Sequence, residues 1–200
     1  MKAPIDFYFD FSSPYGYFGS LEIDKLAARY ERQVNWHPVL LGPVFKAVGT
    51  APLVTIPMKG DYSRHDMQRT ARFHNMLFTP PSNFPIGSQV AARAMLWLQE
   101  QLPDKAVPFA RTIYSAYFTE DIDISQTDKV VGIAADLGVD RVALATALGE
   151  QDIKDKLKQA IDSAMERGVF GSPFVIVDGE AFWGFDRFTQ LDAFLKNGKI

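Results

Sequence analysis

Strand-like alternation is confined to the two ends of this chain, and that segregation is what most constrains its fold. Residues 5–11 alternate apolar and polar side chains and are rich in aromatics, the pattern of a strand. Ser12-Ser13-Pro14 follows, a cap hydroxyl ahead of a proline suited to the first helical position. A helix is expected from there to about Arg29, with Tyr15, Phe18, Ile23 and Leu26 on one face and Leu21 at its margin. Residues 34–41 read as a second strand, where Pro38 marks an edge position or a bulge. Two strands joined through a helix form a parallel pair with a right-handed crossover. At the other end, residues 173–177 and 180–183 flank Asp178-Gly179, a hairpin closed by a two-residue turn. A helix over 188–196, stopped by Gly198, completes the chain.

Helical periods fill the middle. Residues 42–56, with Pro43, Gly49 and Pro52, read as a loop or a short helical turn. A polar, weakly periodic helix covers 60–76, and 87–102 places Ala91, Met95, Leu98 and Leu102 on one face. Residues 106–118 form an aromatic-rich helix whose start Pro108 limits. Ser125 and Asp128 stand at capping-box spacing before an apolar stripe that Gly138 ends. Short helices over 140–148 and 151–167 follow. Removing residues 46–149 leaves β-α-β-α-β-β-α, the element order of the thioredoxin fold. The expected architecture is therefore α/β: a thioredoxin-like domain of residues 1–45 and 150–200 carrying a large all-helical insertion, 46–149.

Composition removes whole classes of chemistry. The 200 residues include no cysteine, which excludes disulfides, zinc ribbons, iron–sulfur ligation and a cysteine nucleophile. Twenty-one basic against 24 acidic side chains leave a net charge of -3, with no electrostatic footprint for nucleic acid or an anionic membrane. Asp6 and Asp10 interrupt the first apolar stretch, and no apolar run approaches about 18 residues, so neither a signal-peptide core nor a membrane span is expected. A soluble cytoplasmic protein is the expectation. His37, His65 and His74 lack metal-ligand spacing and read as structural or surface residues, so no metal site is expected.

Three segments are left to carry chemistry. In a thioredoxin-like fold Ser13-Pro14-Tyr15-Gly16 occupies the turn of the redox Cys-x-x-Cys, with Ser13 and Gly16 at the two cysteine positions. Disulfide exchange needs a thiolate, which the chain cannot supply. The helix N-terminus still favours an anion, and Ser13 is either a plain N-cap or a donor to a sulfur anion brought from outside. Pro173 either starts a strand in the trans form or is a cis proline that exposes the backbone of Ser172 for strand-like pairing. Asp186 is either a helix cap or a partner for a ligand ammonium, whereas Lys59, opening the helical insertion, reads as a solvated surface charge.

Phe9-Asp10-Phe11-Ser12-Ser13-Pro14-Tyr15, Lys59-Gly60-Asp61-Tyr62, Asn83-Phe84-Pro85, Val169-Phe170-Gly171-Ser172-Pro173 and Trp183-Gly184-Phe185-Asp186-Arg187 together resemble one family across essentially the whole chain. It comprises the 2-hydroxychromene-2-carboxylate isomerases and the kappa-class glutathione transferases, built on a DsbA-like thioredoxin fold with a helical insertion. The resemblance implies glutathione as the missing thiol, with Ser13 bonding its sulfur, Ser172 before Pro173 pairing with its cysteinyl part, and Lys59 meeting its glycine carboxylate. Phe185 and Asp186 match the segment that receives the γ-glutamyl end. Thr50 stands where kappa enzymes carry an asparagine, and Phe185 replaces a small polar residue. The implied activity is isomerisation of 2-hydroxychromene-2-carboxylate to trans-o-hydroxybenzylidenepyruvate in aromatic-compound catabolism, through reversible thiolate addition. Tyr15, Tyr62, Asn83, Phe170 and Trp183 are then candidates for the pocket of the small aromatic substrate, with core packing as the other role for the aromatics. A homodimer is implied as well. A kappa-like transferase or peroxidase, and a non-catalytic thioredoxin-like binding module, are the competing readings.

Overall fold

The computed structural model describes residues 2–200. Strand β1 (Ile5–Phe9) leads into helix α1 (Pro14–Arg29) and then β2 (Val34–Pro38). The last strands are β3 (Phe174–Val177) and β4 (Glu180–Trp183), and the four form one sheet in the order β2-β1-β3-β4. β1 pairs parallel with β2 and antiparallel with β3, which pairs antiparallel with β4. β2 is therefore an edge strand, where Pro38 costs no ladder bond on its open side. Asp178 and Gly179 both take positive φ, 52° and 84°, as a primed two-residue hairpin turn requires.

Both leading strands stop short of their alternating sequence, for the same reason. The Asp10 carboxylate takes the amide of Ser12 at 2.8 Å and that of Leu41 at 2.7 Å, bending the chain out of β1 and starting α2 (Leu41–Val48) after β2. Much of the segment 42–56 is thus helical, with a further 3-10 turn over Leu53–Thr55. Then follow α3 (Lys59–Phe73), α4 (Gln89–Gln101), α5 (Pro103–Glu120), α6 (Thr127–Asp136), α7 (Arg141–Gly149), α8 (Gln151–Glu166) and the C-terminal α9 (Phe188–Asn197).

Two local expectations are corrected. α5 starts at Pro103 and runs through Pro108, whose missing amide forfeits only one bond near the helix start. Ser125 does not cap α6, because Asp123 takes its amide at 2.9 Å and its hydroxyl at 2.5 Å, leaving Gln126 at the cap without a side-chain bond. Asp140 does cap α7, accepting from Val142 and Ala143 at 2.8 Å each.

One aromatic core joins the sheet to the helices. Phe7, Phe9 and Phe11 are fully buried with Phe18 of α1 and Tyr114 and Phe118 of α5. The Tyr114 ring lies 5.8 Å from Phe9 and 5.2 Å from Phe11, and Tyr17 stacks on Phe118 at 5.3 Å. Such pairs each contribute about 0.5–1.5 kcal/mol beyond area burial, so the β1–α1 turn is fixed from below. Among the described residues no helix is long and apolar enough to cross a membrane.

Candidate functional site

The turn between β1 and α1 closes on itself before any ligand is considered. Ser13 is extended, at φ -93° and ψ 116°, and its amide bonds the Asp10 carbonyl at 2.8 Å. Its hydroxyl accepts the Gly16 amide at 3.0 Å and donates to the Ser172 carbonyl at 3.0 Å. Ser13 is thus the N-cap of α1 and also a cross-link to the segment before β3; it is 5% exposed. The Ser172 hydroxyl returns the contact, accepting the Asp10 amide at 3.0 Å, and the Ser172–Pro173 bond is cis. Gly16 leaves room for this clasp: a Cβ there would lie 2.6 Å from the Tyr114 hydroxyl and 2.7 Å from Ser172 Oγ.

Beneath the clasp, Asp10 is fully enclosed. Burial pushes its carboxyl up, against the opposing pull of Ser88, Leu41 and Ser12, and the Ser88 hydroxyl sits 2.5 Å from Oδ1. Tyr114 donates its hydroxyl to the Asp10 carbonyl at 2.9 Å, and burial holds its phenol well above the usual range, so it stays a donor. Sequence reasoning passed over Asp10, Ser88 and Tyr114. Only Asp10 carried a signal, as an acid inside an aromatic strand-like run.

A polar chain on one side links α1 to α3. The half-buried Tyr15 donates to Asp66, which Arg69 also bonds, and Arg69 donates to the Tyr62 hydroxyl at 3.0 Å. Burial, then the Asp66 bond, raises the Tyr15 phenol far above its ordinary value. Tyr15 and Tyr62 are thereby brought to one side of the site, although Tyr62 remains 63% exposed. Phe170 and Trp183 form a separate edge-to-face pair at 4.9 Å, both partly exposed. The Trp183 indole lies over Gly171, where a Cβ would come within 2.1 Å of Nε1. These rings border Ser172 and Pro173, whose carbonyl accepts the Gly184 amide at 2.9 Å.

The remaining candidates are more dispersed. Phe185 opens a 3-10 turn, Phe185–Arg187, and its ring is core, 6% exposed against Phe18, His74 and Phe188. A ligand can meet only its main chain. Asp186 does not cap α9, where Arg187 holds the cap position without a side-chain bond. Its carboxylate is 73% exposed, with Arg187 at 3.5 Å. Lys59 opens α3, exposed and without an ion pair among the described residues. Thr50 is exposed just past α2, its amide on the Phe45 carbonyl at 2.9 Å. Asn83 is exposed too, and its carbonyl takes the Tyr117 hydroxyl at 2.8 Å. No group of three His, Cys, Asp or Glu side chains that could hold a metal occurs among the described residues; His37 bonds Asp6 at 2.9 Å.

Residues 4–196 match the model of the DSBA-like thioredoxin domain. The chain belongs to the DSBA-like thioredoxin family. Within it, the chain is similar over nearly its full length to a 2-hydroxychromene-2-carboxylate isomerase of Sphingobium xenophagum, 29% identical across 98% of this chain and 99% of that one. It is similar also to glutathione S-transferase kappa 1 of Caenorhabditis elegans, 28% identical across 94% of this chain and 88% of that one. A solved 2-hydroxychromene-2-carboxylate isomerase superposes with a TM-score of 0.86 at 26% identity, covering 96% of this chain and 94% of that one. The expected kinship with the isomerases and kappa transferases is borne out, as is the DsbA-like fold.

Proposed function

We propose that this protein is a glutathione-dependent isomerase that converts 2-hydroxychromene-2-carboxylate to trans-o-hydroxybenzylidenepyruvate. The observation that carries the reading is the Ser13 hydroxyl, buried at the N-terminus of α1 in a chain that has no cysteine of its own. The full-length likeness to isomerases supplies the reaction.

The residues at hand suit a tripeptide thiol. Ser172 offers a backbone acceptor beside the cis proline, Lys59 an ammonium with no ion pair among the described residues and Asp186 an exposed carboxylate for the two charged ends, with Thr50 and the Phe185 main chain as further contacts. When bound, glutathione supplies a thiolate that adds reversibly to the conjugated substrate and leaves unchanged, so it acts as covalent catalyst. Ser13 holds that sulfur as the anion with the help of the helix N-terminus, and each unit of pKa lowering corresponds to about 1.4 kcal/mol. To do so its proton turns away from the Ser172 carbonyl, where a ligand amide takes its place. Tyr15, Tyr62, Asn83, Phe170 and Trp183 border the aromatic substrate. A cytoplasmic homodimer acting in aromatic-compound catabolism completes the reading.

Glutathione titration followed by thiolate absorbance against pH tests it. The bound thiol pKa is expected below that of free glutathione and higher again in Ser13→Ala. An unshifted thiol, or no saturable binding, overturns the reading and leaves a non-catalytic binding module. The similarity to a kappa transferase favours one second reading, in which the same thiolate is consumed. Glutathione stoichiometry under turnover separates the two, since the isomerase returns it.

A further inference from the structure

Among the described residues Asp10 is the one charged side chain that is buried, at 4% exposure, and no cation pairs with it. Three donors meet its carboxylate instead. Oδ1 takes the Ser12 amide at 2.8 Å and the Ser88 hydroxyl at 2.5 Å, and Oδ2 takes the Leu41 amide at 2.7 Å. Ser12 lies in the turn before α1, Leu41 opens α2 and Ser88 precedes α4, so one side chain joins three helix starts. Neither α2 nor α4 has a cap bond from its own flanking side chain. The Ser88 hydroxyl, at the cap position of α4, turns to Asp10 rather than to its helix. The Leu41 amide, an orphan donor of the first turn of α2, finds its acceptor in the same carboxylate.

The main chain of this residue carries the clasp around Ser13. Its carbonyl takes the Ser13 amide and the Tyr114 hydroxyl, and its amide bonds Ser172 Oγ. Any shift of the Asp10 side chain therefore moves the support from which the Ser13 hydroxyl points. A buried carboxylate without a counter-cation is costly, and the three donors offset that cost only while all stay in place. An amide could not stand in. Both oxygens face fixed backbone N–H groups, and either orientation of an asparagine sets its NH2 against one of them.

We propose that Asp10 is the positioning residue of the site: by holding the amides of Ser12 and Leu41 and the hydroxyl of Ser88 together, its carboxylate fixes the turn that aims the Ser13 hydroxyl at the ligand sulfur. This rests on the glutathione reading only for the sulfur that Ser13 then meets.

Backbone hydrogen exchange, followed by NMR on the glutathione-free protein and on Asp10→Asn, tests the placement. Exchange is expected to quicken about tenfold at Ser13 and Gly16, as well as at Ser12 and Leu41, while the amides of β1 and β3 keep their protection. Quickening confined to Ser12 and Leu41 is a local loss, and quickening spread evenly over the sheet is a general loss of stability; either overturns the proposal. With glutathione bound, thiolate absorbance gives a second reading. A misplaced Ser13 raises the bound thiol pKa toward that of free glutathione, whereas a carboxylate acting only through its charge would lower it on removal. A fall, or no change, overturns the proposal as well. If Asp10→Asn does not fold, Ser88→Ala keeps the carboxylate and both amides and is read in the same way. About threefold quickening at Ser13 and Gly16 is then expected, and none overturns the proposal. The exchange measurement needs no thiol, so an unshifted thiol in the unaltered protein would overturn the glutathione reading while the role of Asp10 is still decided.

Discussion

The inner and outer parts of the candidate site are built on opposite principles. Around Ser13, the hydroxyls of Ser13, Ser172, Ser88 and Tyr114 and the Asp10 carboxylate all have partners, and all five residues are buried. At the rim, Thr50, Lys59, Asn83 and Asp186 are exposed side chains on helix ends and loops, with no bond joining them to Ser13. A preorganised donor needs no reordering when charge develops, whereas a solvated rim must be ordered by the ligand. On the proposed reading chemistry falls to the inner part and recognition to the outer, and each can be perturbed alone.

The largest effect is expected at the centre. Ser13→Ala should lower kcat on the order of 10²- to 10³-fold, the range for removing one preorganised donor. KM for glutathione should move much less, since the rim is intact. Steady-state kinetics decide this, and an equal loss in both terms would erase the division. Gly16→Ala comes next. Its methyl meets the Tyr114 hydroxyl and Ser172 Oγ below 3 Å, and both atoms are held by their own hydrogen bonds. Overpacking of this kind costs about 1–3 kcal/mol, which urea denaturation would register.

At the rim the effects are smaller and of another kind. Asp186→Asn should weaken glutathione binding by about three- to tenfold, the scale of an exposed charge contact, with little change in the rate of the bound state. Loss of rate in the same proportion would move Asp186 into the inner group. The smallest effect is a control on the opposite face of the sheet. Burial pushes the Asp6 carboxyl up, but hydrogen bonds from His37, Arg167 and Asn35 outweigh it and hold it below its ordinary 3.8. A depressed carboxylate stabilises the fold above its unfolded pKa and loses that contribution as pH falls through the folded value. Asp6→Asn should therefore cost up to about 1 kcal/mol at pH 7, with activity unchanged. Its deficit should shrink as denaturation is followed below pH 3.8.

The same division governs what could be read from the sequence. Ser13, Pro14 and Gly16 lie within one turn, and the thioredoxin-like order of the whole chain sets the residue before Pro173 beside that turn, so Ser13 and Ser172 were legible. Periods of two and 3.6 gave the strands and most helices for the same local reason. Contacts between distant parts of the chain were not legible. Ser88 reaches Asp10 across 78 residues and Tyr114 across 104, and no local pattern marks either as a partner. Phe185 is a further long-range case, for its ring packs into the core against Phe18 and His74, a placement no local pattern marks, and only its main chain is open to a ligand. The Ser125 capping box failed because Asp123, two residues earlier, competes for the same hydroxyl.

Gly16 also sets how far this chain stands from the dithiol oxidoreductases that share its fold. Putting cysteine at position 13 takes one substitution and would give a thiol able to form a mixed disulfide with an outside partner. No second sulfur could then resolve it, because the volume required at position 16 belongs to the phenol of Tyr114 and the hydroxyl of Ser172. Recovering a working Cys-x-x-Cys demands that Tyr114 be cleared first, at the expense of its bond to the Asp10 carbonyl and of core packing. A route to redox catalysis therefore runs through a less stable intermediate sequence, and packing around position 16 disfavours a second cysteine there.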